Sequence, residues 1–92
     1  RLRVMIKKEG AAGKAERDDI FVVVKPREKG EGVDIKLNSK VTKLYGDKIV
    51  ETIKKKLREL DVDDVYLEAD DMGALDYVIR ARVEAAIRRA EK

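Results

Sequence analysis

Few residues of this chain belong to the types that perform covalent or metal chemistry. Its 92 residues include no cysteine, no histidine and no glutamine, one serine and two threonines. Without cysteine the chain has no thiolate chemistry and no disulfide framework, and without histidine it lacks the usual general base near neutral pH. We therefore expect neither a common hydrolase active site nor a structural zinc site.

Adjacent carboxylates are the next candidates, because paired acids can bind Mg²⁺ or Ca²⁺. Three such pairs occur: Asp18 with Asp19, Asp63 with Asp64, and Asp70 with Asp71. None has the spacing of a calcium-binding loop. We interpret them as solvated acids of turns and predict no metal site.

The most specific pattern is the run of residues 70–84, which reads Asp-Asp-Met-Gly-Ala-Leu-Asp-Tyr-Val-Ile-Arg-Ala-Arg-Val-Glu. Helix-start chemistry explains part of it, since Asp71 can act as a cap and Asp76 lies four residues before Arg80, the spacing of a helical ion pair. An amphipathic helix does not require so particular an order of residues. The run is therefore also informative about the family.

Three blocks of the sequence together resemble the acyl carrier (gamma) chain of citrate lyase. Relatives in that family read close to Asp-Asp-Lys-Gly-Ala-Leu-Asp-Cys followed by Arg-Ala-Arg where this chain has residues 70–82. They read Ser-Ser-Val-x-Lys-Gln-Phe-Gly-Asp at residues 39–47 and Ala-Gly-Thr-Leu-Glu-Ser-x-Asp at residues 12–19. The residues of this chain that match this family signature are Gly13, Glu16, Asp19, Ser39, Gly46, Asp47, Asp70, Asp71, Gly73, Leu75, Asp76, Arg80 and Arg82.

The resemblance implies a non-catalytic carrier subunit of a cytoplasmic, multi-subunit lyase complex. In this family a phosphoribosyl-dephospho-CoA arm is joined through a phosphodiester to a serine of the N-terminal loop. The terminal thiol of the arm holds an acetyl or citryl group while partner subunits exchange and cleave it. Such a tether raises the effective concentration of the acyl group at two active sites.

The chain departs from the family at the attachment position, where the serine is replaced by Arg17. Arginine has no hydroxyl to accept the phosphodiester, and no Ser, Thr or Tyr lies between Arg1 and Leu37. We therefore expect no cofactor on this chain. Ser39 lies in a different block and is interpreted as a helix cap. Two other departures, Met72 for lysine and Tyr77 for cysteine, do not by themselves stop a carrier.

Hydrophobic periodicity predicts the elements that must position these residues. Alternation of apolar and polar residues predicts strands at 2–7, 33–37 and 65–69, with a loop at 9–19. Residues 20–24 are apolar on both faces and rich in β-branched side chains, which predicts a central strand covered by helices. A period of 3.6 residues predicts a first helix from Asn38-Ser39 to Leu60, continuous through Gly46, and a second helix that follows Met72.

The predicted order is β-β-β-α-β-α, an α+β fold with a mainly antiparallel four-stranded sheet and both helices packed on one face. The glycines between the second and third strands predict a hairpin that makes these two strands antiparallel neighbours. The same helical period places four apolar residues near the helix starts on the buried faces of the helices: Val41, Leu44, Tyr45 and Leu75.

Composition limits the size and the partners of the protein. The length fits a single domain, residues 1–92. Although 45% of the residues are charged, the net charge is only +3 and the signs are interspersed. This balance argues against a nucleic-acid partner, and we interpret the arginines Arg80, Arg88 and Arg89 as solvated rather than as an RNA-binding face. No apolar run approaches the ~20 residues of a membrane span, and the first residues do not form a signal peptide.

A small basic-helix module that binds RNA or an acidic protein is a third and less favoured hypothesis. Two functional hypotheses are favoured on the sequence alone, and neither makes the chain an enzyme. One is a carrier-type subunit, located in the cytoplasm, that docks on lyase subunits through the Arg17 loop and the second helix. The other is a thermostable, engineered or redesigned scaffold of this fold without native activity. Proteins from hot environments and redesigned sequences both replace uncharged polar residues with charged ones, as this chain does.

Overall fold

A computed structural model of the protein describes residues 4–92, so Leu2 and Arg3 of the predicted first strand lie outside it. The elements in chain order are β1 (Gly10–Ala12), β2 (Ile20–Pro26), β3 (Val33–Asn38), α1 (Lys43–Glu59), β4 (Val65–Asp71) and α2 (Asp76–Ala90). This order confirms the predicted β-β-β-α-β-α sequence of an α+β fold.

The first strand does not lie where alternation placed it. It forms at Gly10–Ala12, in the segment predicted as a loop, whereas residues 4–9 form no strand. Val4 and Ile6 pack against the core, and the Lys7 amide donates to the carbonyl of Ala90 at 2.9 Å. The alternation at residues 4–7 therefore reflects side chains that pack on the core, not strand pairing.

The sheet has the order β1-β2-β4-β3. β2 is antiparallel to both β1 and β4, while β3 is parallel to β4. The predicted β2–β3 hairpin is therefore wrong, because β4 lies between these two strands. α1 supplies the crossover that a parallel pair requires. Asp64 Oδ1 holds the β2–β3 connection beside the start of β4, accepting from the amides of Gly30 and Gly32 at 3.0 and 2.8 Å.

Both helices cover the same face of the sheet, and the core lies between them and the two central strands. Alternate residues of β2 and β4 are fully buried there, which is the period-two pattern of a sheet with one covered face. The largest fully buried side chains are Ile20, Ile53, Leu57, Leu67, Ile87, Val22, Val24, Val65 and Val83.

α2 lies directly against β1 and makes an unusually close contact there. A Cβ added to Gly10 would collide with the carbonyl oxygen of Ala86 and lie 2.8 Å from the amide nitrogen of Ala90. Because backbone atoms cannot move aside as a flexible side chain can, only glycine fits at position 10. We refer to Gly10, Ala86 and Ala90 as the closed contact.

The helix starts differ from the prediction. α1 begins at Lys43 after the N-cap Thr42, whose Oγ1 accepts from the Tyr45 amide at 3.4 Å, so the prediction that Ser39 caps this helix is wrong. α2 begins at Asp76, and its N-cap is Leu75. Four residues predicted on the buried faces of the helices are exposed instead: Val41, Leu44, Tyr45 and Leu75. α1 does continue through Gly46.

Candidate functional site

The loop at residues 13–19 connects β1 to β2 and contains the candidate attachment position. Its tip is a turn in which the amide of Asp19 donates to the carbonyl of Glu16 at 3.0 Å. Arg17 and Asp18 are the two central residues, and Asp18 has a φ of 64°, a conformation that aspartate tolerates better than most residues. Arg17 is exposed. The turn thus presents the side chain of residue 17 at the surface.

Backbone hydrogen bonds fix this turn to the segment that precedes α2. The amide of Asp18 donates to the carbonyl of Met72, and the amide of Met72 donates to the carbonyl of Asp19, each at 2.9 Å. These bonds lie directly beyond the last pair of the β2–β4 ladder, Ile20 with Asp71. These bonds therefore hold the loop against the start of β2 and the end of β4.

An ion pair with α2 provides a second anchor. Asp19 accepts from the guanidinium of Arg82 through both carboxylate oxygens, at 3.0 Å from Nε and 3.2 Å from Nη2. Its Oδ1 also accepts from the Ile20 amide at 2.7 Å. The hydrogen bonds from Arg82 are the main cause that lowers the pKa of Asp19, although its partial burial acts in the opposite direction. Asp19 therefore stays ionised and anchored well below neutral pH.

Gly13 and Gly73 adopt backbone conformations that the loop end requires. Gly13 has a φ of 83°, and a Cβ there would collide with the carbonyl of Ile20. Gly73 has a φ of 96° in the turn between β4 and α2. Both values lie in the region that favours glycine. By contrast, a Cβ on Gly46 would make only an ordinary contact, 3.7 Å from Leu37 Cδ2, so nothing in the structure requires glycine there.

Asp71 joins two of the sequence blocks. It is only 5% exposed, and its Oδ1 accepts from the amides of Ala74 at 3.0 Å and Gly73 at 3.3 Å. Its Oδ2 accepts from the hydroxyl of Ser39 at 3.2 Å. Asp71 therefore caps the turn before α2 and not α2 itself. It also connects that turn to Ser39, which lies in the segment before α1.

Ser39 is the only serine, and its hydroxyl is already engaged. Besides donating to Asp71, it accepts from the amide of Val41 at 3.4 Å. It lines a shallow groove together with Ala15 and Met72, so it lies beside the loop but not on its turn. These bonds explain Ser39 as a structural residue.

The remaining residues of the signature lie around the same end or along α2. Asp70 accepts from Asn38 Nδ2 at 2.9 Å. Asp76 forms the predicted ion pair with Arg80 at 2.7 Å and accepts from Thr52 Oγ1 at 3.1 Å. Asp47 and Leu75 are exposed, and Glu16 contributes its carbonyl to the turn.

Metal binding, membrane spanning and attachment of a prosthetic group each require a particular geometry. Among residues 4–92, no group of three or more His, Cys, Asp or Glu side chains could hold a metal ion. No helix in this part of the chain is both long enough and apolar enough to span a membrane. The turn at residues 16–19 has the exposure that an attachment site needs, but Arg17 does not fit a phosphodiester because it offers no hydroxyl oxygen.

Sequence reasoning did not predict the pairing of Asp19 with Arg82, although it named both residues. They lie 63 positions apart, and no local pattern connects them. The available signal was that an ion pair between Asp76 and Arg80 already explains the first arginine of the Arg-Ala-Arg block, which left the second one without a partner.

Comparison with known proteins shows that this chain is similar to acyl carrier proteins. The family described as ACP, Malonate decarboxylase delta subunit (MdcD), matches residues 7–90. Citrate lyase acyl carrier proteins are similar over nearly the whole chain. That of Halothermothrix orenii is 41% identical over 87 residues, covering 95% of this chain and 90% of the relative. That of Lactobacillus acidophilus is 43% identical over 86 residues, covering 92% and 86%.

The fold also matches a solved structure. A chain in the crystal structure of a Pseudomonas malonate decarboxylase hetero-tetramer in complex with malonate superposes with a TM-score of 0.72. The alignment covers 94% of this chain and 87% of that chain at 17% sequence identity. At this identity the match supports the fold alone.

Proposed function

We propose a function for this chain, which belongs to the family of acyl carrier proteins of citrate lyase and malonate decarboxylase. Within that family it is a carrier-type subunit that does not itself carry the phosphoribosyl-dephospho-CoA arm. It has no catalytic role of its own, and it acts in the cytoplasm by assembling with lyase subunits.

The position of Arg17 carries this proposal. The turn that presents residue 17 is fixed by its internal hydrogen bond, by two backbone bonds to Met72 and by the ion pair of Asp19 with Arg82. Only the residue at the tip lacks the required hydroxyl. An exposed and well-anchored turn without a hydroxyl at residue 17 supports a protein that keeps the loop of a carrier but does not carry the arm.

The names of the relatives support the assembly part of the proposal. The curated relatives are acyl carrier proteins of citrate lyase, and the structural neighbour belongs to a hetero-tetramer. A protein of this family that keeps the same fold would be mounted in a comparable complex. Its contribution there would be to occupy the carrier position.

A stabilised or redesigned scaffold of the same fold is the second candidate function. The observation that favours it is the composition: 45% charged residues, one serine and no glutamine or cysteine. A selection for stability alone would keep the closed contact at Gly10 and the turn at residues 16–19, yet would discard a reactive serine. Such a scaffold would have no affinity for lyase subunits.

Intact-mass measurement after co-expression with the prosthetic-group transferase tests the loss of carriage. We expect the unaltered chain to keep its own mass and Arg17→Ser to gain the mass of the arm. Lys14→Ser is the matched control, since it places a serine in the same loop but outside the turn, and we expect it to stay unmodified. If Arg17→Ser remains unmodified, more than the attachment residue has been lost.

Binding to lyase subunits separates the two candidates. The probe is the set of citrate lyase subunits of Halothermothrix orenii, purified without their own carrier subunit. A carrier-type subunit binds them, whereas a scaffold without native activity does not.

A further inference from the structure

Large apolar side chains are exposed mainly at one end of the molecule. Eight are exposed in residues 4–92, and six of them lie in two short segments at the starts of the helices. We call these six the helix-start patch, and they are Val41, Leu44, Tyr45, Met72, Leu75 and Tyr77.

The two segments of the patch lie side by side. The hydroxyl of Ser39 binds Asp71 at 3.2 Å, and Thr52 Oγ1 binds Asp76 at 3.1 Å. Because β3 and β4 are parallel and a helix on the same face follows each, α1 and α2 run in the same direction, and α2 begins beside the middle of α1. Leu44 lies eight helical residues before Thr52, the residue that contacts Asp76, which is a rise of about 12 Å along α1. The patch is therefore compact enough for a single partner to cover.

The fold does not account for these exposed residues. Leu44 is 71% exposed and Leu75 57% exposed, so neither contributes much to the core. The first turn of α1 also contains no acidic residue, although acids are the favoured residues at a helix N-terminus. Clustered exposed apolar side chains usually mark a binding surface.

The charges around the patch indicate the chemistry of its partner. The exposed charged residues in and just before the first turns of α1 are Lys40, Lys43 and Lys48, against a single acid, Asp47. On the α2 side the exposed Asp76 is balanced by its ion pair with Arg80. A twofold contact of two copies through this patch would bring the same lysines together, because such a contact uses one surface twice. A partner with acidic side chains around an apolar groove complements it.

The patch is continuous with the candidate loop. Met72 belongs to the patch, and its backbone binds the turn residues Asp18 and Asp19. A subunit seated on the patch would therefore have the tip of the loop at the edge of its groove. A carrier needs this placement to present its attachment position to an active site.

We propose that the helix-start patch is the surface by which this chain docks on a lyase subunit, in an apolar groove bordered by acidic side chains. This surface, which rests on the proposed function, extends the docking hypothesis drawn from sequence. The contact includes the start of α1 as well as the Arg17 loop and the start of α2.

The test is titration of the carrier-free citrate lyase subunits of Halothermothrix orenii with the unaltered chain and with the double variant Leu44→Ser/Leu75→Ser. Truncation of two central anchors is expected to weaken binding by about 100-fold. Met5→Ser is the matched control, because Met5 is 67% exposed but lies outside the patch, and it should bind like the unaltered chain. Lys43→Glu/Lys48→Glu should weaken binding by about tenfold and reduce its dependence on salt.

Each outcome separates this docking surface from the proposed function. If the unaltered chain binds and Leu44→Ser/Leu75→Ser binds equally well, the docking surface is wrong and the proposed function stands. If the unaltered chain does not bind at all, the proposed function falls and the docking surface falls with it. Thermal unfolding of the double variant near that of the unaltered chain shows that any loss of binding is not a loss of folding.

Two other occupants of the patch would also overturn the inference. In sedimentation, a dimer of the unaltered chain that Leu44→Ser/Leu75→Ser abolishes would assign the patch to a second copy. Binding to vesicles of anionic phospholipid that the same variant abolishes would assign it to a membrane surface. We expect the unaltered chain to show neither property.

Discussion

The closed contact and the loop tip place opposite demands on their residues. At Gly10 the backbone of β1 lies so close to α2 that no side chain fits, whereas at Arg17 the side chain is exposed on a turn. Almost any residue can occupy the tip without disturbing the fold. The fold can therefore persist after the attachment chemistry has gone, and the family resemblance reports the fold more reliably than the carrier function.

The closed contact should give the largest effect on stability. Gly10→Ala places a methyl group against backbone atoms of Ala86 and Ala90, so β1 and α2 must separate. We expect the free energy of unfolding to fall by about 3 kcal/mol. Urea denaturation checks this value, and a loss below about 1 kcal/mol would show that the two elements separate easily.

Asp71 should come next, because it anchors the loop end from a buried position. Asp71→Ala removes the acceptor of two backbone amides and of the Ser39 hydroxyl. We expect a loss of about 2 kcal/mol in urea denaturation. Asp71→Asn keeps one acceptor oxygen and should lose less. Equal losses for both variants would mean that the negative charge, rather than the hydrogen bonds, is what matters.

The ion pair of Asp19 with Arg82 should have a smaller effect that depends on pH. Arg82→Met is expected to lower the free energy of unfolding by about 1 kcal/mol at pH 7, since the pair is partly exposed. Arg82 lowers the pKa of Asp19 in the folded protein, so its stabilisation is present above the unfolded pKa of about 3.9. It is lost as the pH falls through the folded pKa.

Urea denaturation of the unaltered chain and Arg82→Met at several pH values checks this dependence. The difference between them should be full at pH 7 and should shrink as the pH falls below about 4. The pKa of Glu84 is also lowered, mainly by its hydrogen bond with Lys56, but that pair is present in both proteins. A difference that stays constant with pH would assign the effect to the packing of the Arg82 side chain.

Gly46 should show the smallest effect, with the opposite sign to Gly10. It lies inside α1, and an added Cβ would meet only Leu37 Cδ2 at 3.7 Å. Gly46→Ala is therefore expected to raise the free energy of unfolding by about 0.5–1 kcal/mol through helix propensity. A lower free energy of unfolding for Gly46→Ala, measured by thermal or urea denaturation, would show that packing at this position requires glycine.

Most of the fold could be predicted from the sequence where the local pattern determined the structure. The β-branched run of β2, the alternation in β3 and β4 and the helical period of α1 and α2 identified five elements. The neighbours of β2 could not be predicted in this way, because alternation shows which face of a strand is buried but not which strand lies beside it. β1 was missed because its glycine serves a contact with α2, 76 or more residues along the chain.

The candidate site was predictable only in part. That residue 17 is the attachment position stays a prediction from the family resemblance, and the turn at residues 16–19 presents that residue at the surface. Leu44 and Leu75 were placed in the core because helical periodicity counts apolar residues without showing how far the sheet extends beneath a helix. Their exposure became evident only when the helices and the sheet were assembled.

The intact mass of the unaltered chain, after co-expression with the prosthetic-group transferase, tests the central claim most directly. The presence of Arg17 at the tip of the turn predicts the mass of the unmodified polypeptide. A mass increased by the phosphoribosyl-dephospho-CoA arm would contradict the claim, and peptide mapping would then identify the hydroxyl that carries it.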